Sequence, residues 1–139
     1  MYADVEIVLV EDNIEDARLT LRSLRQNNID RRLLHLSSGE EALNVLFSET
    51  FRRQPKLILL DLKMPRISGL EVLEKIKSDP VRKTIPVVML SSSNEERDVF
   101  QSYQLGANAF VVKPVDTRVF TQVVNQMCVF WLSVNTTLA

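Results

Sequence analysis

Apolar residues gather in five short runs along the chain: residues 6–10 (EIVLV), 33–36 (LLHL), 57–60 (LILL), 87–90 (VVML) and 109–112 (AFVV). The runs are continuous rather than alternating, the pattern of strands covered on both faces. Between them, apolar residues recur at spacings of three and four, the period of amphipathic helices. The first such segment spans residues 14–27, with Ile14, Ala17, Leu21 and Leu24 on one face and Asn13 ahead of it as N-cap. The second opens on Ser38 and Glu41, a capping-box spacing, and carries Ala42, Leu43, Leu46 and Phe47. The third covers residues 70–77 with Leu70, Leu73 and Ile76, and Pro80 lies beyond it. The fourth runs over residues 95–105 and stops at Gly106, a residue suited to the C′ position. The fifth starts near Asp116 and continues past Trp131. Strands alternating with helices predict an α/β fold with a parallel sheet covered on both faces. In such sheets the site lies beyond the carboxyl ends of the strands, at a switch in strand order.

The residues at those strand ends carry the chemistry. Strand one ends in Glu11-Asp12, strand three in Asp61, strand four in Ser91 and strand five in Lys113-Pro114. Crowded carboxylates repel one another and rise in pKa unless a cation neutralises them. No His or Cys accompanies them, which disfavours zinc. Oxygen donors suit a hard ion such as Mg2+, with Mn2+ or Ca2+ as substitutes. The assignment is Asp12 and Asp61 as direct ligands, Glu11 as a ligand through water, and the backbone carbonyl of Lys63 as a further oxygen. A carboxylate can also accept a phosphoryl group, and Asp61 is the candidate. Charge on the transferred group would be shared among the cation, the Lys113 ammonium, the Ser91 hydroxyl and backbone N–H groups. Gly69 is expected to let the loop after Asp61 turn into helix three.

Composition narrows the class. The chain has 139 residues, 45% hydrophobic and 25% charged, enough for one domain with a real core. With 17 Lys+Arg against 18 Asp+Glu and only the Arg52-Arg53 pair as a basic cluster, no nucleic-acid partner is expected. Residues 1–6 lack the basic start of a signal peptide, and no apolar run is long enough to span a membrane. Cys128 is the single cysteine, which suits a reducing compartment, so the expected location is cytoplasmic with no membrane partner. His35 reads as a packed strand residue and Cys128 as an inert core thiol.

Glu11-Asp12, Asp61 with Met64-Pro65 and Gly69, Ser91 followed by Ser92, and Phe110 three residues before Lys113-Pro114 together make a pattern. Over nearly its whole length the chain resembles the response regulator receiver domain of two-component signalling. The resemblance implies a flavodoxin-like (βα)5 fold with strand order 2-1-3-4-5. It also implies magnesium, Asp61 as acceptor, a histidine kinase as donor, and a cis peptide at Lys113-Pro114. Ser91 and Phe110 become a switch pair, Phe110 turning from a solvent-facing to a buried rotamer when Ser91 bonds the phosphoryl group. Lys63, with its side chain toward the mouth of the site, acts on water attacking that group.

Rival readings fit less well. A haloacid-dehalogenase-type phosphatase carries Asp-x-Asp at its first strand end, whereas Glu11-Asp12-Asn13 stands here. A flavin-binding module needs a hydroxyl-rich phosphate loop there, and acids would repel phosphate. A DNA-binding regulator needs a helix-turn-helix, and only one helix and a tail follow Lys113. The expectation is a single receiver domain over residues 1–139, with residues from about 130 onward extending helix five. It would act by protein contact, on a histidine phosphotransfer protein or a protein target. The chain, including Phe130-Trp131-Leu132-Ser133, is similar to single-domain regulators that partner phytochrome-type histidine kinases. Helix five carries two apolar stripes: Val119, Val123, Met127 and Phe130, and beside it Phe120, Val124, Trp131 and Val134. The spare stripe points to a homodimer through helix four, strand five and helix five, extended by the tail.

Overall fold

A computed structural model describes residues 5–26, 32–48 and 54–137. Its five strands are β1 (Ile7–Val10), β2 (Leu33–Leu36), β3 (Leu57–Asp61), β4 (Val87–Ser91) and β5 (Ala109–Val112). The helices are α1 (Ile14–Gln26), α2 (Gly39–Leu46), α3 (Gly69–Ser78), α4 (Glu96–Gln104) and α5 (Thr117–Val129). All four strand pairs are parallel, and the sheet order is β2-β1-β3-β4-β5. The order reverses direction at β1, so β1 and β3 lie side by side and the crevice opens beyond their carboxyl ends. Asn27, the expected end of the first helix, and the Arg52-Arg53 pair lie outside the described residues. Among the described residues no helix is long and apolar enough to cross a membrane.

Strand periodicity explains why the runs are apolar throughout. Successive side chains point to opposite faces. Val8, Val10, Ile58, Leu60, Val87 and Met89 meet Ala42, Leu46, Val72, Leu73 and Ile76 from α2 and α3. Ile7, Leu9, Leu57, Leu59, Val88 and Leu90 meet Ala17 and Leu24 of α1 and Phe120, Val124, Met127 and Cys128 of α5. β1, β3 and β4 are fully buried, while the edge strands β2 and β5 are mostly half-buried. Burial pushes the Cys128 thiol up to about 12, so it stays protonated, as expected of an inert core thiol.

Caps set the helix starts. Asn13 Oδ1 accepts from the Asp16 N–H at 3.0 Å, the expected cap of α1. Ser38 caps α2 by accepting from the Glu41 N–H, but Glu41 reaches past it to the Ser37 N–H at 2.9 Å. A reciprocal capping box forms instead at Ser68 and Glu71, a spacing the helical period alone does not reveal. The end of α5 passes into a π-helical turn over Phe130–Val134, so the helix does continue past Trp131.

The stripes on α5 sort differently from the sequence reading. Phe120, Val124 and Met127 enter the core together, and Trp131 and Leu132 pack against it. Met127 therefore joins the core instead of the stripe of Val119 and Phe130, while Trp131 packs on the same side as Phe120 and Val124, the residues of its own stripe. Val119, Val129, Phe130 and Val134 stay exposed. The π turn widens the helix and rotates the residues after Val129 relative to a strict 3.6 period.

Gly69 has a different role from the expected one. It is the first residue of α3 and needs no left-handed backbone; the positive φ in this loop belongs to Arg66, at 66°. A Cβ on Gly69 would stand 2.1 Å from the Asp61 carbonyl oxygen. The missing side chain lets α3 start against the end of β3, where the Gly69 N–H donates to the Leu62 carbonyl at 2.8 Å. Gly69→Ala therefore forces apart the two segments that hold Asp61. It should cost about 1–3 kcal/mol of stability, the usual range for overpacking. Urea unfolding measures this, and a loss under about 0.5 kcal/mol would mean that the loop gives way without strain.

Candidate functional site

Three loops at the carboxyl edge of the sheet bring the expected residues together. Glu11 and Asp12 follow β1, Asp61 closes β3, and Lys113 follows β5. Glu11 is 2% exposed and Asp61 6%, whereas Asp12 faces solvent. One ligand-capable oxygen from each of these three carboxylates lies within 4.8 Å of the others. Lys113 Nζ lies 2.7 Å from Glu11 Oε1, 2.9 Å from Asp16 Oδ2 and 3.4 Å from Asp61 Oδ1. The Lys113 N–H donates to the Ser91 carbonyl at 2.7 Å, which ties the β5 end to β4.

Burial and charge act strongly here. Burial raises the Asp61 carboxyl first, and the Glu11 charge raises it further. Lys113 pulls the other way, while hydrogen bonds to Glu11 and Asp12 favour the protonated form. The result is a carboxyl pushed up to about 8. For Lys113, burial alone lowers the pKa, but hydrogen bonds to Glu11 and Asp16 and the charges of Asp61 and Glu11 outweigh it. The ammonium is held above the ordinary lysine range. Three carboxylates thus contact one ammonium, and a fourth, Asp12, lies beside two of them. The donors are oxygens and the charge balance is negative, so the residues fit a hard divalent cation.

Ser91 is 1% exposed, and its hydroxyl oxygen accepts from the Ser93 N–H at 3.0 Å. Its own proton remains for an acceptor such as a phosphoryl oxygen. Phe110, paired with Met89 across the sheet, is half-buried against the α2/α3 face rather than turned to solvent. The Lys63 side chain is 63% exposed, and its ammonium lies 4.0 Å from Asp98 Oδ2 on α4. No peptide among the described residues is cis, so the Lys113-Pro114 peptide is trans, contrary to expectation. Proline leaves the two isomers within about 0.5–1 kcal/mol, and in the trans form Lys113 already reaches its carboxylate partners and the Ser91 carbonyl.

Four residues of this region escape the sequence reading. Asp16 lies in the first turn of α1 and reaches back to Lys113; its signal is its place four residues after Asp12. His35 Nε2 lies 2.8 Å from the Glu11 carbonyl, and because a carbonyl only accepts, Nε2 carries the proton. A strand histidine gives no hint of that bond. Ser93 and Asp98 join each other at 2.8 Å across the loop after β4. Asp98 follows Glu95 and Glu96, so in sequence it looks like one more acid at a helix start.

Residues 7–125 match the response regulator receiver domain family, and the chain belongs to it. It is a phosphoacceptor signalling domain of the two-component class. The response regulator Rcp1 from Synechocystis sp. is 39% identical over 129 residues, which cover 91% of this chain and 88% of Rcp1. The phosphorylated cyanobacterial phytochrome response regulator RcpA superposes with a TM-score of 0.91 at 40% identity, covering 99% of this chain and 100% of that one. The Mn(2+)-bound form of Rcp1 superposes with a TM-score of 0.88 at 39% identity, covering 96% and 98%. The flavodoxin-like order 2-1-3-4-5 is therefore both observed and shared with solved response regulators.

The raised Asp61 carboxyl has a consequence for stability. Between the ordinary aspartate value of 3.8 and about 8, the folded chain holds a proton at Asp61 that the unfolded chain lacks. Stability from this group is then full below the lower value and is lost as pH rises through the higher one. At pH 7.5, without added cation, Asp61→Asn should raise the melting temperature by several degrees, corresponding to about 1 kcal/mol or more. Millimolar Mn2+ should stabilise the parent more than the variant. Thermal melts with and without the ion check both, and an equal response of the two proteins would remove Asp61 from the cation site.

Proposed function

We propose that Asp61 takes a phosphoryl group from the phosphohistidine of a sensor kinase, in a reaction dependent on Mg2+. The observation that carries this reading is the gathering of Glu11, Asp12 and Asp61 within 4.8 Å, with the Lys113 ammonium beside them. An Asp61 oxygen attacks phosphorus, the P–N bond breaks, and its electron pair returns to the imidazole. An acyl phosphate results. A bound cation would supply positive charge that keeps Asp61 ionised and offsets the charge of the incoming phosphoryl group. Asp12 and Asp61 would hold it directly, Glu11 through water, and the Lys63 carbonyl would contribute a further oxygen. Lys113 and the Ser91 hydroxyl take the remaining oxygens. Hydrolysis reverses the gain: water attacks phosphorus, the P–O bond breaks, and the Asp61 carboxylate re-forms. The Mn(2+)-bound form of Rcp1 supports the cation.

The donor is a phytochrome-type histidine kinase of the cytoplasm, a reading supported by 40% identity with the phytochrome response regulator RcpA, which is covered over its whole length. The output is a change of surface passed to a protein target or a histidine phosphotransfer protein, with Ser91 and Phe110 as the coupled pair. A charge-assisted bond of about 1.5–3 kcal/mol shifts a two-state balance roughly ten- to a hundredfold.

Mass spectrometry after exposure to a small phosphoramidate or acyl-phosphate donor should show one phosphoryl adduct on the parent and none on Asp61→Asn. Chelation, or Asp12→Asn, should slow adduct formation at least about tenfold. An undiminished adduct on Asp61→Asn would move the acceptor elsewhere.

The same surface serves dimerisation. Phe100 is 62% exposed and Tyr103 51% on α4, Val112 42% on β5 and Val119 43% on α5, a contiguous set of elements with Phe130 as an aromatic end. Exposed aromatics on such a patch are typical interface anchors. Light scattering at tens of micromolar should give a dimer for the parent and a monomer for Phe100→Asp/Val119→Asp. A monomeric parent, or a double variant that stays dimeric, would sink this part of the proposal.

A further inference from the structure

Of the buried carboxyl side chains among the described residues, Glu11 and Asp61 belong to the acidic site and Asp98 does not. Asp98 sits in the first turn of α4 and is 7% exposed. Burying a carboxylate is costly without partners. Asp98 has two from different loops, both at the same oxygen. Its Oδ2 accepts from the Ser93 hydroxyl at 2.8 Å and lies 4.0 Å from the Lys63 ammonium. Ser93 in turn donates its N–H to the Ser91 hydroxyl oxygen at 3.0 Å and accepts from the Glu95 N–H at 3.2 Å. Glu95, the N-cap of α4, makes no side-chain cap, and Ser93 links the N–H of Glu95 to the Asp98 carboxylate at the helix start. The Ser102 hydroxyl, fully buried, donates to the Asp98 carbonyl and fastens the residue from the other side.

We propose that Asp98 is a positioning residue for the phosphoryl site, holding the Lys63 ammonium to the side of Asp61 and orienting the Ser91–Ser93 strap. The inference rests on Asp61 being the acceptor. A phosphoryl group on Asp61 is a second anion within the region that Lys63, a long and largely exposed side chain, can sample. With Asp98 charged, Lys63 is shared between two anions, and the path for water to phosphorus stays open part of the time. Without that charge, Lys63 turns to the phosphoryl group alone and covers it. Asp98 therefore acts on the lifetime of the acyl phosphate through Lys63 and touches no reacting atom.

Asp98→Asn keeps the oxygen that accepts from Ser93 and removes only the charge. Phosphoryl loss should be about threefold slower in Asp98→Asn than in the parent. In a Lys63→Ala background the same substitution should change nothing, because the side chain it acts through is gone. An equal change in both backgrounds, or faster loss in Asp98→Asn, overturns the proposal. A second measurement needs neither phosphorylation nor a variant that must fold. Nitrogen-15 NMR of the lysine ammonium groups in the unphosphorylated parent should show Lys63 exchanging with water more slowly than exposed Lys75. Exchange as fast as that of Lys75 overturns the proposal as well. Were the parent not phosphorylated at Asp61 at all, the reading of the acceptor would fall, and the ammonium signal would still decide whether Asp98 holds Lys63.

Discussion

Everything at the carboxyl edge of the sheet depends on one unfavourable arrangement, two buried carboxylates beside each other with a single ammonium to offset them. Glu11 and Asp61 are almost fully removed from water, and Lys113 touches both. Isolated charges of this kind are strongly penalised in a protein interior. The cluster persists because each group has a second restraint. Glu11 receives the Asn13 N–H and has its carbonyl held by His35; Lys113 is shared with Asp16 and tied to β4 through its backbone. The remaining imbalance is negative, which makes the site a receptor for positive charge. A cation and a phosphoryl group entering together supply opposite charges to a place already shaped for both.

The fold delivers these groups through the direction of its strands. In a parallel sheet every carboxyl end lies on one edge, so residues 50 or 100 apart in sequence meet without any local motif. The apolar runs of β1, β3 and β4 do the gripping, since both faces are covered and none of the three can slide in register. Gly69 and the Ser68–Glu71 box then start α3 against the last carbonyl of β3. The Asp61 carboxylate is thereby held at its backbone as well as its side chain, and pre-organisation of that kind is what positioning catalysis needs.

Much of this was legible in the order of residues. The apolar runs located all five strands to within a residue, because strands buried on both faces leave an unbroken apolar signature. The strand-end rule then picked out Glu11, Asp12, Asp61, Ser91 and Lys113 from the other charged and hydroxyl residues. What could not be read was second contacts. Asp16 and His35 look like a helix-start acid and a packed strand residue, and only the sheet brings them to Lys113 and Glu11. Asp98 is hidden among acids at the start of α4. Gly69 looks like a turn residue, since sequence records the absence of a side chain and not whether conformation or space requires it. On α5 the periodic pattern groups Met127 with exposed Val119 and Phe130, although Met127 enters the core, and Val134 with buried Phe120 and Val124, although Val134 is exposed; the π turn after Val129 accounts for Val134, because it breaks the helical period there.

The central claim is that, among several acids within reach of one another, Asp61 forms the covalent bond to phosphorus. Borohydride reduces an acyl phosphate to an alcohol and leaves free carboxylates alone. Reduction of the phosphorylated parent followed by peptide mapping reads the position directly. Homoserine is expected at position 61, with Glu11, Asp12, Asp16 and Asp98 unchanged. Reduction at any of those four, with residue 61 still aspartate, would contradict the claim.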